Sequence, residues 1–185
     1  MSNRQNGRNH RFHVISKKKP VKSEMRHGPS HSYPDRWLKY PTIGTIIPDS
    51  KFIAFKTPLD KAFFHRKSDT PFQLNDVVDA VRAAGKKLVM VVDLTNTDRY
   101  YDCKGWKEFG VDYVKIKCPG HTVHKSNAHT TFNDIVEKVL KNSSSDEVIG
   151  VHCTHGLNRT GYLICQYLML KENWTAEKAI EGTFY

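Results

Sequence analysis

The sequence predicts an α/β domain in which a central sheet is flanked by helices. Short apolar runs alternate along the chain with segments of helical periodicity. One run, residues 88–92, is continuously apolar, which is typical of a central strand buried on both faces of a sheet. Another, residues 148–151, leads directly into a loop and a helix. The ligand of such a sheet is expected beyond the carboxyl ends of its strands.

The first half of the domain supplies two strands and a helix. Residues 52–55 form an apolar strand. Thr70 and Pro71 are typical of an N-cap and a first helical position, and the helix that they predict ends at Gly85. Its buried face is marked by Leu74, Val77, Val78 and Val81. The central strand, residues 88–92, follows.

The second half continues the alternation. Residues 113–116 form a strand, and apolar spacing predicts an amphipathic helix over residues 132–140. Residues 148–151 form the next strand, residues 162–170 a largely buried helix, and Thr175 caps a short final helix. The sequence contains neither repeats nor a second domain.

Charge separates a basic tail from this domain. Residues 1–30 hold eight Lys or Arg residues against one acid, so residues 31–185 carry only +3 of the total net charge of +10. Because the tail is polar and poor in core-forming residues, we expect it to be disordered. Three roles stay open for it, namely attraction of RNA phosphates, a nuclear address around residues 17–20, or simple solvation.

Composition also predicts the compartment. The N-terminus is polar, no apolar run reaches membrane-spanning length, and the four cysteines show no paired spacing. We therefore expect an intracellular, reducing environment, the nucleus or the cytoplasm or both, and no membrane partner.

Residues 148–161, VIGVHCTHGLNRTG, carry the chemistry of the chain. They are interpreted as a strand, a tight loop and a helix, so free backbone N–H groups and the helix dipole converge on an anion. The same field lowers the pKa of Cys153, which favours a thiolate nucleophile. Arg159 supplies a planar fork that binds two phosphoryl oxygens at once. The alternative, a core cysteine beside a surface arginine, leaves the rest of the string unexplained.

Other residues of the loop have supporting roles. Gly156 lets the backbone approach the ligand closely, and Thr160 donates its hydroxyl to the sulfur as the thiolate leaves. His152 orients the loop rather than acting as a base, whereas His155 either touches a second phosphate or packs against the loop. Substrate phosphate is expected to contact Thr154, His155, Gly156, Leu157, Asn158 and Arg159.

The string HCTHGLNRTG resembles the cysteine-dependent RNA 5′-triphosphatases of the protein-tyrosine-phosphatase superfamily. That group includes the triphosphatase domain of metazoan capping enzymes and the RNA/RNP-complex-interacting phosphatase, and GLNRTGYLIC is nearer to the latter. Ordinary dual-specificity phosphatases usually carry Ala at the position of His155 and Ser or Gly at that of Asn158. The similarity begins near Tyr33 and includes PDRW, FIAFKTPL and DLTNTDRYY.

The resemblance implies a phosphatase-like fold and removal of the γ- and β-phosphates from 5′-triphosphorylated RNA. No metal or other cofactor is expected, because Arg159 and the loop amides supply the neutralising charge. It also implies contact with ribonucleoprotein or RNA-processing proteins. Family members continue beyond the position of Tyr185 with a helical segment that includes an Arg-Gly element. We therefore expect the catalytic domain, residues 31–185, to be incomplete at its C-terminus, with part of the helical layer uncovered.

The most discriminating feature is a missing acid. Phosphatases that release a tyrosine or serine hydroxyl protonate it with an Asp on a loop before the cysteine. Residues 113–133 contain no Asp or Glu but several Lys and His residues. A tyrosine leaving group, with a pKa of about 10, is poorly served by such a loop. A phosphate oxygen, with a pKa of about 6, leaves without protonation.

The remaining candidates have weaker support. Asp93 follows the central strand and could orient His155 or Arg159, position water, or cap the next turn. Arg99, Lys117 and His121 are possible RNA contacts, and Arg99 could instead pair with Asp102. Zinc is not expected at the histidines of this region, because no Cys or carboxylate ligands accompany them. Cys165 is expected in the core, and Cys118 near enough to Cys153 for the two to oxidise together.

Three functions are compatible with these residues. The first is an RNA 5′-triphosphatase in which Cys153 forms a phosphocysteine that water hydrolyses, while Arg159 stabilises the transferred phosphoryl group. The second is a dual-specificity protein phosphatase, for which Asp93 is the one obvious acid. The third is a truncated, non-catalytic protein that binds RNA or phosphate.

Overall fold

A mixed five-stranded sheet forms the centre of the molecule. The computed structural model describes residues 32–65, 69–119 and 127–184, so the predicted basic tail lies outside the described residues. The strands lie in the order β1-β2-β5-β3-β4, and β1 alone runs antiparallel to its neighbour. Their bounds are β1 (Ile43–Ile46), β2 (Phe52–Lys56), β3 (Lys87–Asp93), β4 (Asp112–Lys115) and β5 (Glu147–Cys153).

Helices cover both faces of this sheet. On one face α1 packs with aromatic residues of the connecting segments, and on the other α2, α3 and α4 pack together. The four helices are α1 (Leu74–Ala83), α2 (Ala128–Leu140), α3 (Asn158–Lys171) and α4 (Ala176–Phe184). The predicted α/β architecture is confirmed, because a largely parallel sheet has to be covered on both sides.

Two predicted details of the elements are wrong. The first helix begins at Leu74, three residues after Pro71, and the backbone N–H of Gln73 donates to the Asp76 carboxylate at its start (2.6 Å). Phe72 lies before the helix, where its side chain is buried and its carbonyl accepts a hydrogen bond from Leu59 (2.9 Å). Strand β1 was not predicted, because its four residues include Gly and Thr and are only partly buried.

The carboxyl ends of three parallel strands meet at one edge of the sheet. Asp93 of β3 pairs in register with His152 of β5, and Lys56 of β2 pairs with Cys153. The strand β5 is buried along almost its whole length and lies in the middle of the sheet. Its last residues therefore emerge between two neighbouring strands, where the sequence places the ligand.

The C-terminal helices follow their predicted positions. The Thr175 hydroxyl accepts a hydrogen bond from the backbone of Lys178 (3.2 Å) at the start of α4. Cys165 of α3 lies in the core, as predicted, with its sulfur 3.3 Å from the Ala179 carbonyl. Leu170 and Ile180 are more than half exposed on these two helices. Within the described ranges, no helix is both long and apolar enough to span a bilayer.

Candidate active site

A cavity of about 400 Å³ and another of about 270 Å³ open near the carboxyl edge of the sheet. The smaller one contains the predicted nucleophile and is here called the thiol cavity. It lies where β5 passes through residues 154–157 into α3, so the first turn of that helix faces it. Its lining residues are Arg36, Tyr40, Cys153, His155, Leu157, Asn158 and Arg159.

The loop between β5 and α3 is held against strand β2. Gly156 has a φ of +72°, and a Cβ at this position would lie 2.5 Å from the backbone carbonyl of Phe55. The structure gives a further reason for glycine at this position, since a side chain would collide with β2, and the close approach of a ligand stays a prediction. The backbone N–H of Thr57 also donates to the Thr154 carbonyl (3.3 Å). Both contacts fix the loop to the sheet.

Cys153 is buried at the base of this loop. Burial alone would raise the pKa of its thiol, but hydrogen bonds from Thr160 and His155 and the charge of Arg159 hold the pKa below its usual range. The buried Thr160 hydroxyl has no other hydrogen-bond partner among the described residues. It is thus available to the sulfur, which is the role predicted for it.

Arg159 is oriented by three hydrogen bonds. Its Nη1 donates to the carbonyls of Leu94 (3.0 Å) and Cys118 (2.9 Å), and its Nη2 donates to the Thr154 hydroxyl (2.9 Å). The Thr154 side chain therefore binds the arginine. Because these contacts hold the guanidinium while it lines the cavity, it meets an anion without a large loss of side-chain freedom.

Helix α3 leaves its N-terminus open toward the thiol cavity. Leu157 precedes the helix and provides no side-chain cap, and the first turn contains no acidic residue. Free N–H groups of this turn, together with the helix dipole, favour an anion at this point. Asn158 begins the helix and lines the cavity. The helix start is thus open to an anion, and phosphate binding by the loop residues stays a prediction.

His152 lies behind the nucleophile and is completely buried. Burial lowers the pKa of its imidazole, so the ring is neutral at pH 7. Nδ1 lies 3.4 Å from the Cys153 carbonyl, which can only accept, and Nε2 lies 2.7 Å from the Tyr101 hydroxyl. These partners assign the proton to Nδ1, and Tyr101 then donates to Nε2. His152 therefore has the predicted orienting position.

Asp93 contacts neither His155 nor Arg159 in any hydrogen bond of the described residues, so that part of its predicted role is wrong. Its Oδ1 accepts from the backbone of Thr95 (2.7 Å), and its Oδ2 accepts from Tyr113 (2.8 Å) and Lys115 (2.8 Å). It caps the turn after β3, which was the alternative expectation. Its partners thus come from the turn after β3 and from the neighbouring strand β4, and not from residues 154–157, here called the phosphate loop.

The charge of Asp93 is stabilised despite burial. Burial alone would raise the pKa of this carboxyl, but the charge that His152 carries when protonated and the hydrogen bonds from Lys115 and Thr95 hold the pKa below the usual range. Lys115 also pairs with Asp98 (3.1 Å). Lys115 is therefore neutralised by two carboxylates inside a polar cluster.

Two lining residues were not predicted as site residues. Arg36 and Tyr40 belong to residues 34–40, here called the rim turn, and reach the thiol cavity from a distant part of the sequence. His155 explains part of this arrangement, because its Nε2 donates to the carbonyl of Asp35 (2.6 Å). The string PDRW marked this region in the sequence, but its spacing gave no reason to place it beside Cys153.

Comparison with models of protein families matches residues 72–182 to "Dual specificity phosphatase, catalytic domain". The match covers more than half of the chain and includes Cys153 and Arg159. The chain belongs to the dual-specificity phosphatase family. The superfamily resemblance inferred from the sequence is confirmed.

Two curated relatives of this phosphatase domain carry RNA-related names. An RNA/RNP complex-1-interacting phosphatase homolog from Caenorhabditis elegans is 42% identical over 157 residues, which are 82% of this chain and 67% of the relative. The mRNA-capping enzyme of the same organism is 40% identical over 150 residues, 80% of this chain and 24% of the enzyme. The chain spans about half the length of the relatives from Rattus norvegicus and Homo sapiens.

A solved structure supports the fold of the phosphatase. Tk-PTP in its active form matches with a TM-score of 0.53 over 78% of this chain and 83% of that chain, at 17% identity. At 17% identity the match supports a shared fold and nothing further. It agrees with the central sheet and flanking helices described above.

The predicted RNA contacts lie away from the lining of the thiol cavity. Arg99 lies over the ring of Tyr100 (5.2 Å) and lines the larger cavity, and the described ion pairs do not join it to Asp102. Lys117 pairs with Asp98 (3.3 Å) and is mostly exposed. His121 lies outside the described residues. The structure thus brings neither Arg99 nor Lys117 to the thiol of the phosphatase.

Metal ligands and cysteines complete the description. Over residues 32–65, 69–119 and 127–184, no cluster of His, Cys, Asp and Glu has a geometry suited to a metal ion.

Cys118 is fully buried, and burial raises the pKa of its thiol. The four cysteines are free. The pKa of the Cys153 thiol is lowered and that of Cys118 is raised, so of these two thiols Cys153 is the one whose surroundings favour the thiolate.

Proposed function

We propose that this phosphatase domain is an RNA 5′-triphosphatase that removes the γ-phosphate, and then the β-phosphate, from 5′-triphosphorylated RNA. The observation that carries the proposal is the state of Asp93. It is the carboxyl that a protein phosphatase would need as an acid, yet it is buried, ionised and bound by Thr95, Tyr113 and Lys115.

A site without an available acid favours one class of leaving group. The described residues that line the thiol cavity include two arginines and no carboxylate. Residues 113–133, part of which lie outside the described ranges, contain no Asp or Glu at all. A diphosphate oxygen leaves as a weak base and needs no proton, whereas a tyrosine oxygen with a pKa of about 10 does.

The mechanism uses two displacements at phosphorus. The Cys153 thiolate attacks the terminal phosphorus, the bond to the bridging oxygen breaks, and the diphosphate end of the RNA departs with the electron pair. Arg159 and the N–H groups of the loop neutralise the equatorial oxygens. Thr160 stabilises the sulfur when water later attacks the phosphocysteine and releases orthophosphate. Neither step needs a metal ion, since the loop supplies the positive charge.

The names of the relatives support an RNA substrate. One is called an RNA/RNP complex-1-interacting phosphatase homolog and another an mRNA-capping enzyme. We propose 5′-triphosphorylated RNA as the partner of this chain, with ribonucleoprotein or RNA-processing proteins as further partners in the nucleus or cytoplasm.

Substrate choice tests the proposal. Wild type and Cys153→Ser are compared on RNA labelled at the γ- or β-phosphate and on a phosphotyrosine peptide, with EDTA present. We expect release of both labels by wild type, little turnover of the peptide, and no release by Cys153→Ser. Faster turnover of the peptide would assign a protein phosphatase instead. Binding of RNA without turnover would assign a non-catalytic role, and a requirement for metal would refute the mechanism.

A further inference from the structure

The rim turn forms one wall of the thiol cavity. Arg36 and Tyr40 line the cavity opposite residues of the phosphate loop. The Arg36 side chain is more than half exposed, and its Nε pairs with the neighbouring Asp35 carboxylate (3.1 Å). None of the hydrogen bonds of the described residues involves its two terminal nitrogens, and the residue lines the thiol cavity. Arg36 is more exposed than Arg159, which three hydrogen bonds hold to the protein.

Buried Lys56 fixes this turn from below. Its Nζ donates to the carbonyls of Trp37 (3.1 Å) and Tyr40 (3.0 Å) and lies 3.6 Å from the centroid of the Trp37 ring. The Trp37 indole donates in turn to the Thr57 carbonyl (2.9 Å) and is almost completely buried. The turn is thus attached to β2 by both backbone and side chain.

His155 attaches the same turn from the side of the phosphate loop. Its Nε2 donates to the Asp35 carbonyl, and its ring lies 5.0 Å from the Tyr40 ring. Arg36, the next residue, takes a φ of +54°, which is uncommon for a residue with a side chain. Such backbone strain persists only where surrounding contacts impose it. The contacts of Lys56 and His155 do so here.

We propose that Arg36 forms a second anion subsite, which binds the phosphate next to the one attacked by Cys153, and that His155 and Lys56 position it. This inference rests on the proposed function, because a second subsite has a use only with a polyphosphate chain. Arg159 binds the terminal phosphate inside the loop, and Arg36 binds the adjoining phosphate at the mouth. A guanidinium suits this task, since its charge is permanent and its geometry matches phosphate oxygens.

Arg36 also serves the departing group. When the bond to the attacked phosphorus breaks, negative charge grows on the bridging oxygen and spreads over the adjoining phosphate. A cation at the cavity mouth stabilises this charge and replaces the proton that a protein phosphatase would supply. The two arginines thus act on opposite sides of the bond that breaks.

Calorimetric binding of inorganic ligands to the Cys153→Ser protein tests this subsite without turnover. The ligands are orthophosphate, which fills one subsite, and tripolyphosphate, which spans two. In this background we expect Arg36→Ala to lower the affinity for tripolyphosphate by about tenfold. The affinity for orthophosphate should fall by less than about twofold. The matched control is Arg82→Ala, an exposed arginine of α1 paired with Asp79, which should change neither affinity.

A second variant tests the positioning role. His155→Ala keeps Arg36 but removes the hydrogen bond to Asp35. It should therefore also lower the affinity for tripolyphosphate, by a smaller factor than Arg36→Ala does. Equal losses for both ligands, or no loss for either, would overturn the inference. Thermal unfolding of each variant identifies one that fails to fold, and Arg36→Gln then replaces Arg36→Ala. The outcome is separate from the RNA assay, because a protein phosphatase could bind tripolyphosphate yet prefer the peptide.

Discussion

Lys56 and Cys153 are register partners on β2 and β5, so the residue that holds the rim turn lies beside the nucleophile. The phosphate loop returns across the same point, where Gly156 contacts the backbone of Phe55. Movement of β2 would therefore disturb the thiol, the loop and the cavity wall together.

Replacement of Arg159 by Lys should lower kcat by about 100-fold or more, because an ammonium cannot keep all three anchoring hydrogen bonds and grip two phosphoryl oxygens. Single-turnover kinetics with a chromogenic aryl phosphate measure the step directly. Arg82→Lys on the exposed face of α1 is the control and should retain full turnover. A drop of less than threefold in Arg159→Lys would contradict the assigned role.

Replacement of Gly156 by Ala should lower the free energy of unfolding by about 3 kcal/mol, because a strained φ adds to a collision with β2. Gly110→Ala isolates the cost of the strained φ. Its φ of +69° is similar, but no neighbouring atom lies within 4 Å of the added Cβ. It should cost about 1 kcal/mol. Urea unfolding followed by circular dichroism measures both. If both variants lost the same free energy of unfolding, the contact with Phe55 would contribute nothing to the cost of Gly156→Ala.

Asp93→Asn should destabilise the protein by about 3 kcal/mol at pH 7, because it leaves the Lys115 ammonium with a weaker buried partner. The lowered pKa of Asp93 means that its contribution is complete above its unfolded pKa of about 4 and is lost as pH falls through the folded value. Asp79→Asn, in an exposed pair, should cost less than about 1 kcal/mol.

The same Asp93→Asn variant separates a structural role from an acid role. Since Asp93 donates no proton in the proposed mechanism, the pH–rate profile of triphosphate hydrolysis should keep its shape in the variant. Disappearance of a basic limb that wild type possesses would identify Asp93 as the general acid. That result would favour the protein-phosphatase function.

Lys56 predicts an unusual pH dependence of stability. Burial lowers the pKa of its ammonium to about 8, so between about pH 8 and pH 10 the unfolded chain binds more protons than the native protein. Stability of wild type should rise with pH across this window relative to Lys56→Met, by at most about 1.4 kcal/mol per pH unit. Parallel stability curves for the two proteins would show that Lys56 titrates normally.

The local part of the site could be predicted from the sequence. Cys153, Thr160 and Arg159 lie within eight consecutive positions, and a strand followed by a loop and a helix fixes their relation without any distant contact. The pattern of apolar residues similarly predicted most strands and helices, since each buries a face against the same sheet.

Long-range relations were beyond the sequence. Arg36 lines the cavity because β2, which holds the rim turn, pairs with β5. The spacing of apolar residues along the sequence does not indicate which strands pair or in which register. Asp93 was placed at the correct edge, but its distant partners, Tyr113 and Lys115, come from the neighbouring strand β4 rather than from the phosphate loop. Lys56 was not predicted as a site residue. In the sequence, a lysine after an apolar run indicates the exposed end of a strand rather than a buried position.

The hydrogen bond from His155 to Asp35 joins residues 120 positions apart. During synthesis the N-terminal strands leave the ribosome long before the phosphate loop exists, and the rim turn has nothing to close against. The cavity can therefore close only after β5 has been made and lies between β2 and β3. Before that point the rim turn and the phosphate loop cannot form one cavity.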